Sequence, residues 1–458
     1  MRLYPQLAAG YDQPETIVLD LLPGAVGPGP ADAAMVVRNA VAKGRPYAAP
    51  DYLPPYRGAM HTPALPDAAG HLDTIPEGTP QFLAAHMYGC ARLALGSWER
   101  WLGHPVVWWH VADLPRLELV PRLHWGNAHA GYGFLETGMR WSRHGEAVPL
   151  ALSLDVVAHE VGHAVLYSVM GAPAPAERTA EYHAAGEAFA DFSAALTALR
   201  FSSVVARLLA QTRGNLYALN LVSRLSEVSD IEQARTLDNT VHVNQLADLR
   251  LGLDGRFVDP LGLRRNEHNL AAPLTGAIWD CFVELYQDGL AGRGAIRPDS
   301  DARGWTRQEA IAAMQPLERA SAEALGRFAP DFEAALRDAR DLTGRALARV
   351  AQRVPPANLR FAAVAARFCE ALAESGQSSN LPAFVENFLE RGIDPRPLLG
   401  KDPSAPRRAP TSSPRWRTEA AAAHAPNGCA GCANPLAILA AHRIVRHPHR
   451  EAAAGAGT

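Results

Sequence analysis

Two histidines four residues apart, His159 and His163 in the run SLDVVAHEVGHAVLYSV, constrain this chain more than any other feature. On a helix that spacing puts both imidazoles on one face, where they can grip a single cation. Glu160 follows the first of them and stands beside the ion, able to take a proton from water. The five-residue pattern arises by chance in roughly one chain per hundred of this length, so it needs support elsewhere. A catalytic zinc takes three protein ligands and keeps an open position. The third candidate comes 24 residues after His163, in GEAFADFSAAL on the next predicted helix. Glu187 is that ligand. Asp191, one turn later, can accept the outer N–H of a ligand histidine and fix its tautomer. The plainer reading of Glu187 and Asp191 is a solvated charged stripe, and the Ala and Phe residues around them argue against it.

The rest of the chain supplies a scaffold for such a site. Residues 1–80 are rich in Pro and Gly (PGAVGPGP, APDYLPPYRG) and predict an extended arm with a strand or two, wrapped against something else. From Gln81, FLAAHMYGCARLALGSWERWLG has helical spacing. PVVWWHV and LELVPRLHW predict strands, followed by the Gly-rich aromatic stretch NAHAGYGFLETGMRW. Leu152 to Met170 and about Ala176 to Leu199 predict the two helices that carry the candidate ligands. Residues 200–393 have a helical pattern almost throughout, broken at Gly214, Pro260, Pro298 and Pro355-Pro356. After Ile393 the pattern dissolves, which predicts a mobile tail over 396–458.

Composition excludes several classes. The chain has 458 residues, 48% of them hydrophobic, enough for a large core. No apolar stretch reaches the roughly 18 residues of a membrane helix. A net charge of −3, from 44 basic and 47 acidic residues, gives no reason to expect a nucleic-acid or anionic-membrane partner. Five cysteines are too few for a disulfide framework. With no apolar signal segment at the N-terminus, the expected location is the cytoplasm, or outside by a route without a classical signal. Cys429 and Cys432 form a lone CxxC that reads as half a zinc knuckle, a redox pair or a chance pairing. The arginines beside it (Arg443, Arg446, Arg450) read as a solvated face.

HEVGH followed by GEAFAD resembles the thermolysin-like zinc metallopeptidases, the gluzincins, whose His₂Glu site is a standard catalytic zinc set. The likeness extends over about residues 80–393. The resemblance implies zinc held by His159, His163 and Glu187, Glu160 as general base, and a peptide or protein substrate. It also places Asn127 and Ala128 on an edge strand that pairs with the substrate backbone. His268, in NEHNLAAPLTGAIWDCFVELY, falls where the family has a substrate-binding histidine that helps hold the oxyanion; a lone histidine before a helix otherwise reads as a solvated cap. Arg256, in GRFVDP, matches an Arg-x-x-x-Asp-Pro segment one residue short and would contact a substrate carbonyl.

The departures are specific. No residue stands at the spacing of the family's tyrosine between the two ligand helices, with Tyr182 and His183 the nearby substitutes. ALTALRFSSVV replaces most of the acids that build the family's calcium sites, leaving Asp155, so calcium is not expected. The implied fold is α+β and two-lobed: a β-rich N-terminal lobe, a mainly helical C-terminal lobe, and the active-site helix between them. In segments this reads as an arm (1–80), a β-rich lobe with the zinc-binding helices (81–200), a helical lobe (201–395) and the tail (396–458). Two functions follow from different classes. One is a metalloendopeptidase, general or target-specific. The other is a catalytically silent zinc-containing scaffold for a protein partner. Turnover separates them.

Overall fold

The structure, a computed structural model, describes residues 1–401 apart from 6–12, 23, 49–50, 142–146, 230–231, 247–249, 252–256, 259–266, 298–300 and 302–306. The fold mixes helix with small sheets. In the N-terminal part β1 (Arg2–Leu3) pairs antiparallel with β2 (Glu15–Thr16). A four-stranded sheet runs in the spatial order β3 (Met35–Val37), β4 (Leu117–Val120), β6 (Phe134–Thr137), β5 (Ala128–Gly131). β3, β4 and β6 are parallel to one another and β5 is antiparallel to β6. β7 (Met139–Trp141) and β8 (Ala147–Pro149) form a ribbon, and β9 (Arg224–Ser229) and β10 (Glu232–Thr236) form a hairpin.

The described helices are α1 (Pro80–Leu102), α2 (Leu154–Val169), α3 (Ala180–Ala198), α4 (Ser202–Thr212), α5 (Glu267–Gly292), α6 (Arg307–Ala312), α7 (Met314–Arg353), α8 (Phe361–Leu372) and α9 (Leu381–Leu389). Local chemistry fixes their ends. Thr79 caps α1 by accepting from Phe82 N at 3.1 Å, and Gly103 ends it in the left-handed region with φ 80°. Thr179 caps α3 in the same way, accepting from Tyr182 N at 3.0 Å. α7 kinks at Phe328, two residues before Pro330, where the proline ring crowds the preceding turn.

α1, α2 and α3 are apolar on nearly all sides and are therefore interior helices. A buried polar chain fastens the three together. Trp98 Nε1 donates to Ser193 Oγ at 3.0 Å, and that hydroxyl donates to the Ala158 carbonyl at 2.7 Å. Each donor is satisfied, so the contact costs no orphaned polar group. α5 packs along α3 and α7 along α5, with Trp279, Phe282, Tyr286 and Phe332 filling the space between.

The structure changes three expectations and adds detail to the N-terminal arm. Residues 1–80 supply β1, β2 and β3, and Leu3, Met35 and Val37 sit in the main core. Lys43, from the same segment, pairs with Glu136 of β6 with both side chains fully buried. PVVWWHV is a loop and turn rather than a strand, because Trp108 Nε1 donates to Ala34 O at 2.8 Å and Trp109 N to Ser168 Oγ at 3.2 Å, across elements rather than along a ladder. The stretch after residue 200, helical by pattern, contains the β9–β10 hairpin, which packs against α2 and α3. The described chain also runs past residue 395: Arg367 Nη2 donates to the carbonyls of Leu398 and Lys401 at 2.8 and 2.7 Å. Cys429, Cys432 and the remainder of the expected tail lie outside the described residues. Among those described, Cys90, Cys281 and Cys369 are buried free thiols, and no single helix is long and apolar enough to cross a membrane.

Candidate metal centre

α2 and α3 lie against each other closely because Gly162, inside HEVGH, has no side chain. A Cβ there would stand 2.8 Å from Ala190 Cα and 2.8 Å from Ser193 Cβ. That approach brings the sequence-predicted ligands together. His159 Nε2 and His163 Nε2 are 3.1 Å apart. Glu187 reaches them from α3, Oε2 at 3.4 Å from His159 Nε2 and Oε1 at 3.6 Å from His163 Nε2. A tetrahedral ion bound at ~2.0–2.1 Å separates its donor atoms by about 3.3–3.4 Å; the His–His separation, and the approach of each Glu187 oxygen to its own histidine, lie close to that figure. The three residues could hold one metal ion. His159 and Glu187 are buried while the His163 side chain keeps 12% exposure, which leaves the open direction beside His163.

Glu160 is 1% exposed, and its Oε1 has no hydrogen-bond partner among the described residues. A buried carboxylate oxygen left without a partner costs free energy. It is retained more readily where it has a ligand or a proton to meet.

Behind His159 stands a chain of charges. Its Nδ1 lies 2.9 Å from Asp191 Oδ1. Asp191 in turn receives two bonds from Arg235 of β10: Nη2 to Oδ1 at 2.6 Å and Nε to Oδ2 at 3.1 Å. Burial works against a charge on His159, but Asp191 and Glu187 outweigh it and raise the ring's proton affinity well above an ordinary imidazole. Burial likewise opposes charge on Asp191, and the Arg235 guanidinium with His159 overcomes it, holding that carboxyl well below the usual range. Sequence reasoning finds Asp191 and misses Arg235. The arginine lies 44 residues from Asp191 in a charge-rich segment, DIEQARTLDN, with no spacing that points to the site.

Asn127 immediately precedes β5 and Ala128 begins it, on the edge of the four-stranded sheet. Both are buried, Ala128 being paired with Thr137 and packed against Leu150 and Val156. Asn127 O accepts from Gly138 N at 2.8 Å, and its side-chain Oδ1 has no partner among the described residues. His268 is the second residue of α5. Arg256 lies outside the described residues. Of the two substitutes for a tyrosine, Tyr182 turns its hydroxyl to Gly171 O at 3.3 Å. His183, one turn before Glu187 on α3, is half-buried. Burial first, then the nearby Arg178, lower its proton affinity against the pull of Glu187. An apolar cavity of about 490 Å³ opens against the N-terminal half of α3, lined by Ala180, Ala184, Leu270 and Phe361 and by none of the three ligands.

No protein-family model matches the chain, and no curated protein matches it. Among solved structures the chain is similar to the precursor of protealysin, a metalloproteinase from Serratia proteamaculans. The TM-score is 0.42 at 10% identity, over 83% of this chain and 91% of that one. The case for a metal centre therefore stands on the side chains of α2, α3 and β10 themselves.

Proposed function

We propose that the protein is a zinc-dependent metalloendopeptidase, with His159, His163 and Glu187 as metal ligands and Glu160 as general base. The observation that carries this is the convergence of the two histidine Nε2 atoms and the Glu187 carboxylate, together with a buried Glu160 oxygen that has no partner among the described residues. Charge supports it. With the histidines neutral, as ligands must be, Glu160, Glu187 and Asp191 against Arg235 sum to a formal charge of minus two, which a divalent cation cancels.

Zinc held there supplies Lewis acidity toward a carbonyl and toward water. Glu160 takes the proton of the attacking water and returns it to the leaving amine. Asp191 fixes His159 as the Nδ1–H tautomer, so that Nε2 presents its lone pair to the ion. Asn127 and Ala128, at the start of β5, pair with an extended peptide laid along that edge strand. His268 at the start of α5 and Arg256 complete the proposed set, at the oxyanion and at a substrate carbonyl. In this reading the fold is two-lobed, with α2 at the base of a cleft between the sheet-bearing lobe and the helices from α4 onward.

Elemental analysis paired with casein cleavage by wild type and Glu160→Gln tests the reading. About one zinc per chain, with cleavage that Glu160→Gln abolishes, is the expected result. Zinc without cleavage of casein or of a peptide library would move the assignment to a zinc-containing scaffold. No zinc, even when added, would overturn it.

A further inference from the structure

A row of aromatic rings leads away from the metal centre, and neither the ligands nor the general base uses it. Tyr167 stands one turn beyond His163 on α2, its ring centroid 6.4 Å from that of the histidine with 20° between the two planes. Trp109, in the loop before β4, packs on Tyr167 at 5.7 Å and meets Tyr132 edge-on at 5.0 Å. Tyr132 directly follows β5, the strand along which a peptide would lie. The row thus joins the more open ligand to the end of the edge strand. Its exposure sets it apart from the core. Trp98, Phe189 and Phe192 are fully buried, whereas Trp109, Tyr132 and Tyr167 are each half-buried. The rings are also fixed in advance. Trp109 N donates to Ser168 Oγ at 3.2 Å, and that hydroxyl donates to the Ala164 carbonyl at 2.8 Å, which pins the loop to the helix of the two histidines. The Tyr132 hydroxyl donates to Asp113. Rings held in place by their neighbours lose little freedom when a ligand settles on them.

We propose that Trp109 and Tyr167 form a shelf that binds an aromatic side chain of the peptide substrate near the scissile bond, and so set the cleavage preference. This rests on the metalloendopeptidase reading above and adds to it the kind of residue that the site selects. An extended peptide turns alternate side chains to the same side about every 6.5–7 Å. One side chain at a fixed distance from the cleaved bond therefore reaches the step between Tyr167 and Trp109. An aliphatic side chain there gains buried area alone. A ring gains the area and an edge-to-face or offset contact besides. A lysine or arginine could also lie on a ring face, but a divalent cation held by His163, next to Tyr167, repels it.

The test uses the full chain loaded with zinc and a family of quenched fluorescent peptides that differ at one position at a time. Each position on either side of the scissile bond carries Phe, Ala or Arg, and mass spectrometry locates the cut. At one position Phe raises kcat/KM over Ala by about tenfold, mainly through KM, and Arg does not. In Tyr167→Leu and in Trp109→Leu the ratio of Phe to Ala at that position falls to within about threefold of one. Tyr167→Phe keeps the ratio, because it keeps the ring. Zinc per chain, measured for each variant, separates loss of the shelf from loss of the metal site. If one leucine variant does not fold, the other decides. No preference for Phe at any position in wild type, a preference that survives both leucine variants, or an equal preference for Arg would each overturn the shelf while the metalloendopeptidase reading stands. A wild-type chain that binds no zinc or cleaves none of the peptides would overturn both.

Discussion

The backbone N–H of Tyr4 donates to Nε2 of His86 at 2.9 Å, joining the start of the chain to α1 across 82 residues. A backbone N–H can only donate, so Nε2 accepts and the ring proton sits on Nδ1, which donates to the Ala151 carbonyl at 2.9 Å just before the ligand-bearing helix. The neutral ring thus holds together the N-terminal strand, α1 and the entry to α2. Burial lowers its pKa to about 4. Since the folded value lies below the unfolded one, the stabilisation is complete above about pH 6.5 and is lost as the pH falls through 4, on the order of 3 kcal/mol in all. His110 is buried with its Nδ1 at the Leu114 carbonyl, also lowered to about 4, and adds in the same direction. Urea midpoints measured from pH 7 to pH 4 should fall steeply for wild type. His86→Asn should be less stable at pH 7 and fall less steeply. Parallel curves would remove His86 as a cause.

Lys43 and Glu136 form the most deeply buried ion pair described, at 1% and 0% side-chain exposure. Glu136 also accepts from Tyr47 N at 2.7 Å and lies 2.9 Å from His129 Nε2, while the Lys43 ammonium sits 3.5 Å over the Tyr47 ring. Removing one partner strands the other charge. Lys43→Met should cost roughly 3–5 kcal/mol, and Lys43→Met with Glu136→Leu should recover a large share of that. Thermal melts of the three proteins decide it. A double variant as unstable as the sum of its singles would mean that the pair's geometry, not its charge, carries the effect.

Tyr182 and His183 are adjacent in sequence and face different ways. The Tyr182 hydroxyl is spent on Gly171 O, whereas His183 shares a face of α3 with Glu187. Tyr182→Phe should therefore leave the rate of peptide cleavage within about threefold of wild type, losing at most a bond worth about 1 kcal/mol to stability. His183→Ala, on the same assay, should lower the rate by at least tenfold with zinc content unchanged. The opposite ranking would put the tyrosine, not the histidine, at the substrate.

The parts of this site that are legible in the sequence are those with a helical period. His159, His163, Glu187 and Asp191 can be paired because spacings of four place residues on one face whatever the tertiary context. Arg235 is not legible, since it reaches Asp191 from a hairpin whose charge-rich strands alternate no more clearly than they fit a helix. PVVWWHV misleads in the other direction. Its β-branched and aromatic residues favour a strand, but the Trp108 and Trp109 donors are taken by Ala34 and Ser168 in distant elements, and the backbone turns. The arm is legible only in outline. Proline and glycine mark it as extended without showing that Met35–Val37 becomes an edge of the four-stranded sheet.

Gly162 shows how one small residue ties the fold to the ligand geometry. It lies between the two histidines, on the face of α2 that meets Ala190 and Ser193 of α3, and at 2.8 Å neither neighbour leaves room for a methyl group. The Ala190 contact is to backbone, so it cannot be relieved by a side-chain rotation. Gly162→Ala gains helix propensity, about 1 kcal/mol in an exposed helix, yet here it must push α3 outward, at a cost of about 1–3 kcal/mol. Because Glu187 rides on α3 while both histidines stay on α2, the displacement opens the ligand triangle. Gly162→Ala should be less stable than wild type and should bind zinc at least tenfold more weakly. A core variant matched in stability, such as Leu208→Ala on α4 away from the site, should keep its zinc affinity. Zinc competition on the three proteins separates loss of geometry from loss of fold: equal zinc affinity in Gly162→Ala and wild type would mean that the helices can separate without moving Glu187.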